Sequence, residues 1–312
     1  MADTDTPNPE QRSSSRRLWR RLVWAGVVVA VLFAGLVSYK IHKRLSFIDA
    51  VNSAGGHLSG LSEPNWVDKI FEKRYALALR GYELVELYPE NRLQLLRQYP
   101  NRFKSVLIIQ EGEFDQDQAD AFREIQLEHS ESQLLVSGCK ITSPSFYDAM
   151  TTHKTLVYLG FTGTVIDLDV VARIDTVPNL QFVSMEFCTF ESEREISISE
   201  SRFPQLRRLS FRNSDLDDKS FAIFEKLINQ CSQLELGETK ITDESILRIR
   251  HSSPARHIVL SQTQITNEGL AHLSELKELK YLELYGTQVT KEGVEEFQKK
   301  RPDCVIEFQN SF

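Results

Sequence analysis

The stretch SQTQITNEGL, Ser261–Leu270, has a near copy downstream, GTQVTKEGV (Gly286–Val294), and another upstream, ETKITDESI (Glu238–Ile246). Each copy runs Thr, spacer, apolar, Thr, an acidic turn, then a small and an apolar residue. Each is preceded by two apolar residues separated by one spacer: Leu234 and Leu236, Ile258 and Leu260, Leu282 and Leu284. The pairs recur every 24 residues. A fixed period of this size is the signature of a solenoid, in which no unit buries its apolar face alone and neighbours must stack.

Working outward, the second apolar residue of each pair serves as a marker, and the series reads Ile109, Val136, Phe161, Met185, Phe211, Leu236, Leu260 and Leu284, at spacings of 24 to 27 residues. Eight repeats follow from Lys104 onward. The segment YALALRGYELVEL (Tyr75–Leu87) reads as a further, degenerate copy. In a strand the side-chain period is two, so both apolar residues of a pair face inward. A small residue stands three positions after each marker: Gly112, Cys139, Thr164, Cys188, Ser214, Thr239, Thr263 and Thr287. There the chain leaves the strand, and a large side chain would hold adjacent coils apart. Two positions further on, an apolar residue (Phe114, Ile141, Ile166, Phe190, Leu216, Ile241, Ile265, Val289) plugs the interior. Thr142, Asp167, Asp217, Thr242, Thr266 and Thr290 then supply a side-chain oxygen able to cap a helix. Acidic residues in the first turn (Asp243, Glu244, Glu268, Glu292) suit the macrodipole, and spacing such as Leu270, Leu273, Leu276 is helical. Each unit is expected to be one strand, one turn and one helix.

The pattern carried by Ile258–Leu273 and Leu279–Val294 resembles the leucine-rich repeat, closest to the bacterial T-x-I-T-D-x-G-L variety and the ribonuclease-inhibitor-like and cysteine-containing subclasses. The resemblance spans about 200 residues and is sharpest in the last three repeats. It implies an α/β solenoid, a horseshoe with parallel strands on its concave face, and it is similar to membrane-anchored bacterial envelope proteins. The turn lacks the family's Asn, so Thr, Cys and Ser stand in place of the asparagine ladder.

Ahead of the repeats, LVWAGVVVAVLFAGLVSY (Leu22–Tyr39) has no charge in 18 residues, roughly 27 Å of helix at about 1.5 Å per residue and close to a bilayer core. The reading is an uncleaved signal anchor; a cleaved leader is the alternative, but its apolar region would be shorter and would end at a small-residue site. Arg12, Arg16, Arg17, Arg20 and Arg21 precede the run and Lys40, Lys43 and Arg44 follow it, which favours a cytoplasmic N-terminus with the repeats on the outer, periplasmic side. The expected organisation is a disordered basic tail (1–17), a single transmembrane anchor (18–44), a mostly helical juxtamembrane cap (45–103) with a helix opening at Ser62 and Pro64, and the repeat domain with its C-terminal cap (104–312).

The first 44 residues carry eight Lys/Arg and three Asp/Glu, so the remainder carries 29 basic against 41 acidic residues, a net charge of −12. This argues against nucleic acid as a partner, since phosphate binding needs a basic surface. The basic residues flanking 22–39 suit anionic lipid head groups instead.

No catalytic, cofactor or metal residues are assigned. The chain has no GxxxxGK[ST], HExxH or GxSxG, and no GxGxxG after a strand. Cys139 and Cys188 are two repeats apart, about 10 Å at about 4.8 Å per strand, too far for a disulfide. Cys231 and Cys304 lie in no CxxC and have no adjacent His, and the seven His are scattered. The candidate surface is the outward strand face, with Tyr158, Phe182, Glu186, Arg208, Arg212, His257, Tyr281, Glu283 and Tyr285 as expected contacts to a protein or peptide. Aromatic and Arg residues are the usual energetic anchors of interfaces. Two other roles remain open: a structural envelope scaffold without a dedicated ligand, and a hydrolase built from the segment before Lys104.

Overall fold

A computed structural model describes residues 31–32, 35–36, 38–59, 84–87, 92–99, 106–125, 132–141, 145–150, 152–168, 177–191, 205–249 and 253–309. The chain divides into two compact units, residues 1–49 with 64–81 and residues 50–63 with 82–312. In the first, the described residues 31–32, 35–36 and 38–49 are helical. Most of the apolar run 22–39 and the helix expected at Ser62 lie outside the described residues. Among those described, no helix is long and apolar enough to cross a membrane.

The second unit is built on one long sheet. Its strands are β1 (His57–Ser59), β2 (Leu84–Leu87), β3 (Val106–Phe114), β4 (Ser132–Ile141), β5 (Leu156–Thr162), β6 (Val165–Asp167), β7 (Phe182–Glu186), β8 (Thr189–Glu191), β9 (Arg208–Ser210), β10 (Gln233–Glu235), β11 (His257–Val259), β12 (Tyr281–Glu283) and β13 (Val305–Glu307). The order along the sheet is β1-β2-β3-β4-β5-β7-β9-β10-β11-β12-β13. β1 pairs antiparallel with β2, and every other pairing is parallel. The ladder thus begins ahead of Lys104, with Leu84–Leu87, and ends in the cap, with Val305–Glu307.

Register follows the markers. Ile109 sits beside Val136, Val136 beside Phe161, and Phe161 beside Met185. Further on, Leu209, Leu234, Ile258, Leu282 and Ile306 form one row. All eight markers are at most 1 % exposed. Each such burial contributes roughly 1.5–3 kcal/mol, and a one-residue slip of any strand would turn its pair outward. In the middle of the array β6 and β8 add a second short parallel ladder beyond the turn, against the end of β4. There Phe190, Phe211 and Phe224 meet with ring centroids 4.7 to 5.9 Å apart.

Two positions after every marker the backbone crosses into the left-handed region. Glu111, Gly138, Gly163, Phe187, Asn213, Glu238, Gln262 and Gly286 have φ of 53° to 66°. The kink turns the chain off the strand, and the next residue closes it: the hydroxyls of Ser214, Thr239, Thr263 and Thr287 donate to the carbonyls of Phe211, Leu236, Leu260 and Leu284 at 2.6 to 2.9 Å. In the earlier repeats the Cys139 and Cys188 thiols donate to the carbonyls of Glu111 and Glu186 at 3.4 Å. This is how Thr, Ser and Cys replace an asparagine: a small side-chain donor adds a hydrogen bond to a strand-end carbonyl at the turn.

Four of the six expected caps are N-caps: Asp217, Thr242, Thr266 and Thr290 each accept from a backbone N–H of the first turn, whereas Thr142 lies outside the described residues and Asp167 ends β6. The first helical residue also reaches across to the next repeat. Asp218 accepts from Thr242 N at 2.9 Å and from the Thr242 and Ser245 hydroxyls, Asp243 accepts from Thr266 N at 2.9 Å, and Asn267 accepts from Thr290 N at 3.0 Å. Burial pushes the Asp218 carboxyl up, but the bonds from Ser245 and Thr242 outweigh it and hold the carboxyl below its ordinary range. A Cβ on Gly269 or Gly293 would overlap the side chain of Asp243 or Asn267. The small residue of the repeated phrase is therefore the seat of this cross-repeat ladder.

At the C-terminal end, Arg301 is 9 % exposed. Its guanidinium donates to the carbonyls of Leu276, Lys277 and Leu279, and it meets Asp303 at 3.3 Å. All four cysteines are free and buried.

Candidate functional site

The parallel register converts the outward strand positions into rows. One row runs Gln133, Tyr158, Phe182, Arg208, Gln233, His257, Tyr281, Val305. The next, two residues along each strand, runs Leu135, Gly160, Ser184, Ser210, Glu235, Val259, Glu283, Glu307. Five of the nine expected contact residues lie in the first row. Gly160 sits where a Cβ would crowd the Tyr158 ring and Leu135, so the ring lies across its own strand.

Around β5, β7 and β9 the face sinks into a cavity of about 380 Å³ lined by Tyr158, Phe182, Glu186 and Arg208 together with Gln133, Val157, Val183, Ser184 and Ser210. Four of the expected residues thus share one site. Glu186 Oε1 accepts the hydroxyls of Ser184 at 2.9 Å and Ser210 at 3.1 Å, which fixes the carboxylate against the floor. Arg208 is closed by an ion pair with Glu235. Arg212 is likewise held by Glu238 at 3.2 Å through both Nε and Nη2.

The remaining expected residues gather three to four strands away. The His257 and Tyr281 rings stack, centroids 4.2 Å apart and 12° from parallel. Ser261 donates to Glu283 at 2.6 Å, the Tyr285 amide donates to Ser261 Oγ at 3.1 Å, and the Tyr285 hydroxyl donates to Glu307 at 2.8 Å. Burial, reinforced by Glu307 and Glu283, pushes the Tyr281 phenol up to about 12. The Tyr285 phenol is raised chiefly by its bond to Glu307. The candidate surface is therefore two aromatic and acidic clusters joined by a strip of Arg–Glu pairs.

Sequence reasoning did not reach Gln133, Glu238 or Glu307. Glu307 lies in the C-terminal cap; its signal is the alternation in CVIEF, Cys304–Phe308, which continues the apolar pair. Glu238 was hidden because it sits at the left-handed turn position. Among the described residues no group of three or more His, Cys, Asp or Glu could hold a metal ion.

Strand and left-handed turn, repeated in parallel register every 24 to 27 residues and followed by a capped helix in each of the last four repeats, define a solenoid of the leucine-rich-repeat type. No protein-family model matches the chain, and no curated protein matches it. Among solved structures it is similar to an internalin from Listeria monocytogenes, with 13 % identity, a TM-score of 0.39, and coverage of 72 % of this chain and 73 % of that one. It is also similar to a protein from Bacteroides fragilis, with 16 % identity, a TM-score of 0.33, and coverage of 60 % and 66 %. Both are loose likenesses; the repeat is established by this chain's own register and burial.

Proposed function

We propose that the chain is a non-enzymatic, membrane-anchored leucine-rich-repeat protein that docks a protein or peptide on its outward strand face. The observation that carries this reading is the cavity between Tyr158, Phe182, Glu186 and Arg208, set in one row with His257 and Tyr281. Eight rungs at about 4.8 Å give a surface roughly 38 Å long, the scale of a folded partner or an extended segment. Its few polar groups already bond one another, which suits recognition by shape, aromatic burial and edge contacts more than covalent chemistry.

Capture from envelope extracts tests the reading. Partners held by the parent chain are expected to be lost with Tyr158→Ala plus Phe182→Ala and kept with Leu247→Ser, which alters an exposed helical residue. Retention of every partner by the double variant contradicts it. The proposed anchor is residues 22–39, with the N-terminus cytoplasmic and the repeats outside. Single cysteines at Ser14 and Ser252, in a chain lacking the native four, test this with an impermeant maleimide. On intact cells position 252 is expected to label and position 14 to stay protected.

A further inference from the structure

On the strand face the cations are spent and several anions are not. Arg208 is closed by Glu235 and Arg212 by Glu238. By contrast, Glu186, Glu283 and Glu307 make no ion pair among the described residues. Their hydrogen bonds come from neutral donors, Ser184, Ser210, Ser261 and Tyr285. Such hydroxyls orient a carboxylate without neutralising it. Each of these anions also stands by aromatic rings: Glu186 shares the cavity with Tyr158 and Phe182, and Glu283 and Glu307 flank Tyr281 and Tyr285.

Resting on the strand-face reading above, we propose that the partner segment is cationic, placing one Arg or Lys side chain in the Glu186 cavity and a second against Glu283 and Glu307. A carboxylate beside ring faces is matched by a guanidinium or ammonium, which gains a charge-assisted hydrogen bond and a cation–π contact together. An anionic partner finds no open counter-charge, because both Arg residues of this face are committed. The net charge of −12 beyond residue 44 steers the same class of partner toward the domain. Spacing follows from the sheet. From β7 to β12 there are four inter-strand steps, roughly 19 Å at about 4.8 Å each. An extended segment crossing the strands at about 3.3 Å per residue places its two cations about six residues apart.

The test uses the full-length chain in a non-ionic detergent and fluorescent Gly/Ser peptides bearing two Arg six positions apart, with citrulline peptides as neutral controls. The Arg peptide is expected to bind saturably. Affinity is expected to fall at least tenfold with citrulline at both positions, with Glu186→Gln, and with Glu283→Gln plus Glu307→Gln. Gln keeps an acceptor for the serine hydroxyls, so Glu186→Gln preserves the fold; an unchanged thermal midpoint verifies this. Equal binding of the Arg and citrulline peptides, or an unaffected Glu186→Gln variant, overturns the cationic assignment. So does binding of neither peptide, and in that case capture of partners that depends on Tyr158 and Phe182 still upholds the strand-face reading.

Discussion

A Cβ on Gly293 would overlap the side chain of Asn267, which bonds the backbone N–H of Thr290 in the following repeat. The same relationship joins Gly269 to Asp243 and Thr266. In these two copies the glycine leaves room for the cap beneath it, whereas the copy at Ser245 carries a Cβ and adds its own hydroxyl to the Asp218 ladder; glycine inside a helix ordinarily costs about 1 kcal/mol relative to alanine.

Gly293→Ala therefore runs against helix propensity. The added methyl must displace Asn267 and its bond to Thr290, at about 1–3 kcal/mol. The urea midpoint is expected to fall, and Asn267→Ala plus Gly293→Ala is expected to lose less than the sum of the single changes. A midpoint raised by Gly293→Ala would contradict the ladder.

Phe187 has φ of 56° and is 58 % exposed. A bulky side chain in the left-handed region costs roughly 1–2 kcal/mol, and little burial offsets it here. Phe187→Gly is expected to stabilise the chain by about 0.5–1 kcal/mol in urea unfolding. A loss of similar size would mean that the ring makes a contact worth more than the strain.

The His153 ring is 4 % exposed, packs edge-on to Phe122 at 4.5 Å, and bonds the Phe122 carbonyl at 3.0 Å. Burial lowers its pKa to about 4, against the opposing effect of that bond. The unfolded chain takes up a proton near pH 6.5 and the folded one only near pH 4, so stability is full above pH 6.5 and declines on acidification through that window. The loss is on the order of 3 kcal/mol. His153→Gln retains a donor for the carbonyl and is expected to flatten the pH dependence between 6.5 and 4. An unchanged profile would refute the assignment.

Burial pushes the Cys188 and Cys231 thiols up to about 12 and Cys304 up to about 11. A thiol held neutral and out of solvent is a poor nucleophile. None of the four is expected to react with maleimide on the timescale that labels a surface cysteine, and all are expected to react in urea. Rapid modification of any one in the native state would show that its repeat opens locally.

How much of this was legible in the sequence differs by feature. The apolar pairs announced themselves because strand period and burial act on every copy alike, and the N-caps at Thr242, Thr266 and Thr290 because few side chains perform that task. The left-handed position was not legible: Glu111, Gly138, Gly163, Phe187, Asn213, Glu238, Gln262 and Gly286 mix glycine and asparagine with acidic, amide and aromatic side chains, since the tertiary ladder enforces the turn. Nor was the closure of Arg208 and Arg212, because their partners Glu235 and Glu238 lie 26 to 27 positions away and meet them only through register. Position on the strand face could be read one residue at a time, whereas the charge balance of the face depends on pairing.

The most direct test places a photoreactive phenylalanine analogue at Phe182 and, as a control, at Leu247, an exposed helical position. A discrete adduct with another protein is expected from position 182 on irradiation of cells, lost when Tyr158→Ala is added, and none from position 247. Adducts from position 247 with none from position 182 would place the working surface on the helices and contradict the assignment of the strand face.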